Sequence, residues 1–320
     1  MARPRIAVAG SLNMDLVVSA DRMPRIGETV PGRHIDYIPG GKGANQAVGC
    51  ARLGADVSLI GAVGTDAFGT EIVQALEREG IELSLVRRAG EAPTGMATIV
   101  RTPDDNCIIV VPGANAICTP EQIAGCRTLL GQVDALLVQL EIPTGTVAAA
   151  VEAAASQGAR IILNPAPARR LPAELLRRIT VLTPNETELE ALTGAPVEQL
   201  PPDGLARVLR AWEAEYGHRV IVTQGRRGCS FLEAGRLVNV PAPPAEAVDT
   251  TGAGDAFNAA LAVALCGGRS LAEAAAFAVA AASLSVTRFG AQAGLPTLAE
   301  VERAVRQQAF EQKKGGNHDE

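Results

Sequence analysis

The sequence predicts an α/β fold: a mostly parallel sheet between helices, with a small separate sheet beside it. Three observations predict it. From Pro120 onward strand-like and helix-like segments alternate, the pattern of parallel strands joined by crossover helices. Residues 94–111 break that rhythm as two strand-like runs with no helix between them. The composition is 47% hydrophobic but only 3% aromatic, so aliphatic residues and many alanines must build the core, which suits close helix-on-sheet packing.

Residues 5–9 are a short aliphatic run ending at Gly10 and read as a buried strand. The polar residues that follow, Ser11 to Asp15, fall at that strand's C-terminal end, where open α/β sheets bind ligands. Residues 25–38 are rich in glycine, proline and β-formers and have no helical period. Residues 41–53 read as a helix opened by glycines, 57–62 as a strand and 70–79 as a helix. GMATIV and CIIVV, joined by Pro-Asp-Asp-Asn, make the hairpin of 94–111. Then come helix 120–130, strand 135–140, helix 144–157, strand 160–163, short helix 172–178, strand 179–182 and helix 186–192. Helix 203–215, strand 219–223, a hairpin at 228–240 and two alanine-rich helices complete the pattern. One domain is expected over 1–310, with residues of about 14–38 and 94–111 forming the small sheet and 311–320 a charged, glycine-containing, disordered tail.

Bulk properties exclude several classes. The net charge is −6 and the arginine pairs are scattered, so no nucleic-acid groove is expected. Six cysteines form no CxxC and only three histidines are present, so a structural zinc site is not expected. The N-terminal apolar run soon meets Asn13 and Asp15 and lacks signal-peptide form. The apolar stretch 256–286 is broken by Gly267-Gly268-Arg269-Ser270 and reads as two buried helices, not a membrane span. A reducing cytoplasm with free thiols is the expectation.

Four stretches carry chemistry. In DTTGAGDAFNAA (249–260), tiny residues lead into a helix at about Asp255. Helix N-terminal N–H groups are unsatisfied and partly positive, and glycines let an anion come close. Asp255 there is either a helix-capping acid or a base taking a proton from a hydroxyl that attacks a phosphate. PGGKGANQA (39–47) offers Lys42 and Asn45 beside three glycines, which suits a polyhydroxylated ligand. Asn13 and Asp15 can accept from hydroxyls, or simply shape a turn after a strand. Glu141, directly after an apolar strand in LLVQLEIP, is either a solvated loop residue or a site residue. Neither GxxxxGK[ST] nor a GxGxxG after the first strand is present, which argues against a P-loop protein and a dinucleotide-binding unit.

Together these stretches resemble the ribokinase-like (PfkB) family of carbohydrate kinases. GGKGANQA, NPAPAR (164–169), TPNETE (183–188), VTQGRRG (222–228), AVDTTGAGDAFN (247–258) and VTRFGAQ (286–292) match its patterns in order, over roughly residues 5–305. DTxGAGD marks the wide family, while GGKGANQA and NPAPAR point to its ribose-phosphorylating branch. The resemblance implies a three-layer α/β/α fold with a small β-sheet lid, and transfer of phosphate from ATP to O5 of D-ribose. A kinase for another pentose or nucleoside, such as 2-deoxyribose, is the alternative, and a non-catalytic sugar-binding regulator a third; the intact Asp255 and glycines argue against the last.

By the same resemblance, Asp255 is the base, and Gly252, Ala253 and Gly254 form the anion hole. Asn13, Asp15, Gly41, Lys42, Asn45 and Glu141 hold ribose. Asn185, Thr223, Gly225 and Gly228 line the ATP site with Gly254, and Asn185 and Glu188 organise Mg²⁺ through water. Asp249, Thr251, Ser285, Arg288 and Gly290 hold a monovalent cation, K⁺, mostly through carbonyls, and so preorganise the anion-hole loop. Three positions depart from the pattern. Gly294 stands where a serine is frequent, Val279 where a polar residue approaches adenine, and VPGAN (111–115) where HAGAN-like stretches are usual. Phosphoryl transfer to a sugar must exclude water, so a lid over the site is expected. A small sheet buries one face alone, so the lids of two copies are expected to pack together in a homodimer.

Overall fold

A computed structural model describes residues 2–103 and 106–315. The chain opens with β1 (Arg5–Ala9), β2 (Asn13–Ala20), β3 (Gly32–Gly40), α1 (Lys42–Arg52), β4 (Asp56–Gly64), α2 (Ala67–Arg78) and β5 (Val86–Ala89). Next come β6 (Gly95–Arg101), β7 (Asn106–Val111), α3 (Pro120–Gly125), α4 (Arg127–Leu130), β8 (Ala135–Val138), α5 (Thr144–Ala155) and β9 (Arg160–Leu163). Then follow α6 (Ala173–Leu176), β10 (Val181–Leu182), α7 (Glu186–Thr193), α8 (Pro202–Tyr216) and β11 (Arg219–Thr223). The chain finishes with β12 (Cys229–Glu233), β13 (Arg236–Val240), α9 (Ala253–Cys266), α10 (Leu271–Ser285), α11 (Ala291–Gly294) and α12 (Leu298–Gly315).

Nine strands form one sheet in the order β13-β12-β11-β10-β9-β8-β1-β4-β5, parallel from β11 to β5 and antiparallel at β12 and β13. A strand's side chains alternate between faces, so a sheet covered on both sides needs aliphatic residues at every position. β1 shows it. Ile6 and Val8 enter a core with α1, α9 and α10, while Ala7 and Ala9 enter a second core with α3, α5, α7 and α8. The expected three-layer α/β/α architecture is the one observed.

The small sheet is β3-β2-β6-β7, with β2 and β6 parallel at its centre. β2 starts three residues after β1 leaves the large sheet, so Asn13 and Asp15 belong to the small sheet and not to a turn. Val17, Ala97 and Ile99 are buried on its inner side.

Other differences are local. The expected helix 120–130 breaks at Cys126, whose N–H bonds back to Ile123. The second helix starts earlier than expected because Asp66 caps it, its carboxylate accepting from Gly69 N–H. β5 had no strand signal of its own and completes the sheet's edge. Helix α12 runs through 311–315, where a disordered tail was expected; 316–320 and the hairpin's turn residues 104–105 lie outside the described residues.

Two glycine contacts set the site's dimensions. A Cβ on Gly43 would lie 2.5 Å from the Gly10 carbonyl carbon, so only glycine lets the start of α1 rest on the end of β1. A Cβ on Gly49 would lie 2.7 Å from that of Ala259, so glycine brings α1 and α9 together.

Candidate active site

The site sits where these two helices meet. Gly252 caps α9 with φ 81°, a left-handed backbone that favours glycine, and packs against Ala291. α9 then points its unsatisfied N–H end at a cleft of about 240 Å³. Gly252, Gly254, Asp255 and Lys42 line that cleft, and a Cβ on Gly254 would meet nothing within 4 Å. The helix end is therefore open to a ligand.

Asp255 is in the first turn of α9 and is buried. A capping acid would bond back to its own helix; this carboxylate bonds to α1 instead. Asn45 Nδ2 donates to Oδ2 at 2.9 Å, and Gln46 Nε2 donates to Oδ1 at 3.0 Å. Burial pushes its carboxyl above the ordinary range, while Lys42 and the two amides pull the other way.

Beside it lie the residues expected to hold sugar. Lys42 Nζ is 3.7 Å from Glu141 Oε1, and Ser11 Oγ donates to Glu141 Oε2 at 2.5 Å. Glu141 is therefore tied to Lys42 and Ser11 and is not a free loop acid. Burial lowers the Lys42 ammonium, yet Asp255, Glu141 and Glu188 outweigh it and hold the pKa above its usual value. Asp15 lies against Gly40, where a Cβ would sit 2.3 Å from Oδ2. Burial, then the charges of Glu141 and Asp255, raise its carboxyl to about 7. Asn13 accepts from Asn115 Nδ2 at 2.8 Å, and Asn115 also bonds both backbone polar groups of Leu12. The VPGAN stretch thus anchors the start of β2 through its asparagine. Gly41 has φ 89° and turns the chain from the small sheet into α1. Asp15 opens on a second hollow of about 180 Å³ beneath the small sheet, and Thr250 lines both hollows.

Of the residues expected to contact nucleotide, Asn185 and Thr223 line the cleft, together with Glu188. Asn185 and Glu188 form a capping box at the start of α7: Oδ1 accepts from Glu188 N–H at 2.7 Å and Glu188 Oε2 accepts from Asn185 N–H at 2.9 Å. That explains part of the NxxE spacing by helix capping alone, and leaves Glu188 Oε1 outside the box. Gly225 and Gly228 are not among the residues lining the cleft. Gly228 is required for packing, since its Cβ would collide with Val240 O. Val279 is buried in the apolar core beneath.

Asp249 ties together the loop before α9. Its Oδ1 accepts from Thr251 N–H at 3.0 Å and its Oδ2 from Gly290 N–H at 2.9 Å. Burial raises its carboxyl, but these bonds prevail and hold it below the usual range. The Arg288 guanidinium turns away to Glu300. A Cβ on Gly294 would meet Ser285 O at 2.5 Å and Arg288 O at 3.7 Å, so glycine fills a place where those carbonyls converge. Among the described residues no cluster of three or more His, Cys, Asp or Glu side chains could hold a metal ion.

Residue-by-residue reading missed Gln46, Gln139, Asn164, Thr183 and Asn258. All are buried polar residues at or under the cleft. Thr183 Oγ1 bonds Asn258 Oδ1 at 2.5 Å, and Asn258 Nδ2 donates to Gly254 O at 2.8 Å. Their only sequence signal was a polar residue inside an apolar run or within a quoted motif.

A buried carboxylate beside an open helix N-terminus, with a second hollow under a small sheet, is the architecture of a small-molecule kinase. The pfkB family carbohydrate kinase model matches residues 3–298. The chain therefore belongs to that family. It is 44% identical to the ribokinase of Bacillus subtilis (strain 168) over 94% of this chain and 99% of that one. It is 36% identical to the deoxyribokinase of Salmonella typhimurium, over 92% and 96%. The structure of Arabidopsis thaliana ribokinase complexed with ribose and ATP superposes with TM-score 0.88 at 35% identity, covering 95% and 99%.

Proposed function

We infer that the chain transfers the γ-phosphoryl group of ATP to O5 of D-ribose. The observation that carries this reading is Asp255, held by two amide donors at the open end of α9. Ribokinases of known name and a structure with ribose and ATP support the substrates. The sugar lies between the two hollows, its hydroxyls taken by Asn13, Asp15, Asn45 and Glu141, with O5 facing Asp255. Asp255 accepts the O5 proton as the O5–P bond forms and the bond from Pγ to the departing ADP oxygen breaks. Backbone N–H groups at Gly252 to Gly254 face the charge that builds on the phosphoryl oxygens. Lys42 adds a positive charge next to the same oxygens. Asn185 and Thr223 contact the nucleotide.

Glu188 and Asn185 suit Mg²⁺ held through water, because a half-buried carboxylate with one oxygen outside the capping box lines the cleft. Mg²⁺ would neutralise charge between the β- and γ-phosphates. The Asp249 loop, with the Thr251, Ser285, Arg288 and Gly290 backbones, suits K⁺ held through carbonyls, because Ser285 O and Arg288 O converge there. A bound cation would stiffen the loop that leads into the anion hole.

The small sheet serves as lid and joins two copies in a homodimer through its bare face. No helix among the described residues is long and apolar enough to cross a membrane, and all six cysteines are free, which supports a cytoplasmic setting.

The test is ADP release from ATP·Mg²⁺ with ribose, 2-deoxyribose, fructose or adenosine, each with and without K⁺. Ribose-dependent turnover stimulated by K⁺ is expected. Preference for 2-deoxyribose would move the substrate toward the deoxyribokinase relatives while keeping the mechanism. No turnover with any acceptor would favour a binding protein.

A further inference from the structure

Behind Gln46, one of the two amides that hold Asp255, lies a further amide, Gln139, that the proposed chemistry does not use. Gln139 follows β8, in a run of aliphatic residues, and is fully buried, as is Gln46. Gln139 Nε2 donates to Gln46 Oε1 at 2.5 Å. Gln46 Nε2 donates in turn to Asp255 Oδ1 at 3.0 Å, and lies 3.5 Å from Asn164 Oδ1. The Gln139 oxygen has no hydrogen-bond partner, and it occupies the space a Cβ on Gly10 would fill, 2.0 Å from that position. An unpaired buried carbonyl costs about 1–3 kcal/mol, and an apolar side chain of the same length would avoid it. Gln139 therefore bears this cost at its own carbonyl. What it provides in exchange is a single N–H aimed at Gln46.

That N–H has a directional consequence. A carboxylate can only accept, so Gln46 must present its NH₂ to Asp255 and its oxygen to the other side. A donor waiting on that other side locks the amide in this orientation. With an apolar residue at 139, the Gln46 oxygen would be left unpaired, and the amide could rotate and set oxygen against carboxylate.

We propose that Gln139 is a positioning residue for phosphoryl transfer, holding Gln46 so that Asp255 keeps the face that meets the sugar hydroxyl. This rests on the reading of Asp255 as the base. The glycine at position 10 belongs to the same device, since it makes room for the Gln139 amide.

The test compares Gln139→Met, Gln46→Met and the double variant, with Asp255→Asn as reference. Gln139→Met should lower kcat by roughly tenfold, the worth of one hydrogen bond between neutral amides, with KM for ribose and ATP within about twofold. Its melting temperature should change little, because the unpaired Gln139 carbonyl is removed while the Gln46 oxygen loses its donor. The double variant should lose no more than Gln46→Met does, because both act on one bond chain. A folded Gln139→Met with full kcat, a loss carried in KM, or additive losses would overturn the proposal. Gln139→Leu takes its place should Gln139→Met not fold. Substantial turnover by Asp255→Asn would instead remove the base reading itself, whatever Gln139→Met does.

Discussion

The nine-stranded sheet is covered by helices on both faces, whereas the four-stranded sheet is covered on one. In the large sheet β1, β8 and β9 bury nearly every side chain. In the small sheet Ile35, Tyr37, Ile109 and Val111 are each about half exposed, on one continuous outer face set by the strand register. On the edge strand β7, Ile108 and Val110 are exposed toward the inner side as well. A contiguous bare apolar face marks an interaction surface. The body buries its sheet between two cores and carries Asp255. The small sheet buries an inner cluster of Val17, Ala97 and Ile99.

The largest effect should come from the body. Asp255→Asn keeps the size and shape of the side chain but removes the proton acceptor and sets an NH₂ against one of the two donor amides, so kcat should fall by about 10³-fold with ribose affinity within a few fold. Single-turnover assays and ribose titration would separate the two, and near-normal kcat would show that another group is the base. The next effect belongs to the small sheet. Ile109→Glu places charge on the bare face, so light scattering at micromolar concentration should give a monomer where the proposal expects a dimer of the parent, with a raised KM for ribose. A monomeric parent protein would remove the dimer proposal.

Smaller effects sharpen the contrast. Gly49→Val drives α1 from α9 at the Ala259 contact and should cost about 1–3 kcal/mol in urea unfolding. It should also lower kcat, since α1 carries Asn45 and Gln46. The smallest effect is a pH dependence at the junction of the two regions. Asp15 titrates at about 7 in the folded protein against 3.8 as its ordinary value. Between those values the folded form holds a proton that the unfolded chain releases. Its stabilisation is full below 3.8 and is lost as pH rises toward 7. Asp15→Asn cannot titrate, so relative to the parent its melting temperature should gain on the order of a few degrees between pH 4 and pH 8, while ribose binding weakens. An unchanged difference across that range would mean that Asp15 ionises freely.

Most of the fold was legible because its signals are local. Strand β9 was read with its observed bounds because an aliphatic run must be buried on both faces. The hairpin of β6 and β7 was legible because alternation without a helix leaves an antiparallel pair as the short solution. β5 escaped because VRRA has no apolar period, and only its neighbour β4 makes it a strand. Asp255, Lys42 and Asn45 were legible because glycines around polar groups signal a backbone that approaches a ligand.

By itself the sequence determined which residues could do chemistry: the glycine-led helix, the polar loop before α1 and the acid after β8. Only the tertiary structure decided which of them meet. Asn13 and Asp15 went to the small sheet because the chain changes sheets between β1 and β2. Gly228 stands away from the cleft, held by the approach of Val240. Gln139, Gln46 and Asp255 form one chain of hydrogen bonds although 93 and 209 residues separate successive members. Local pattern cannot encode such contacts. They exist because two glycine gaps let α1 settle against β1 and α9, and only a packed core sets those distances.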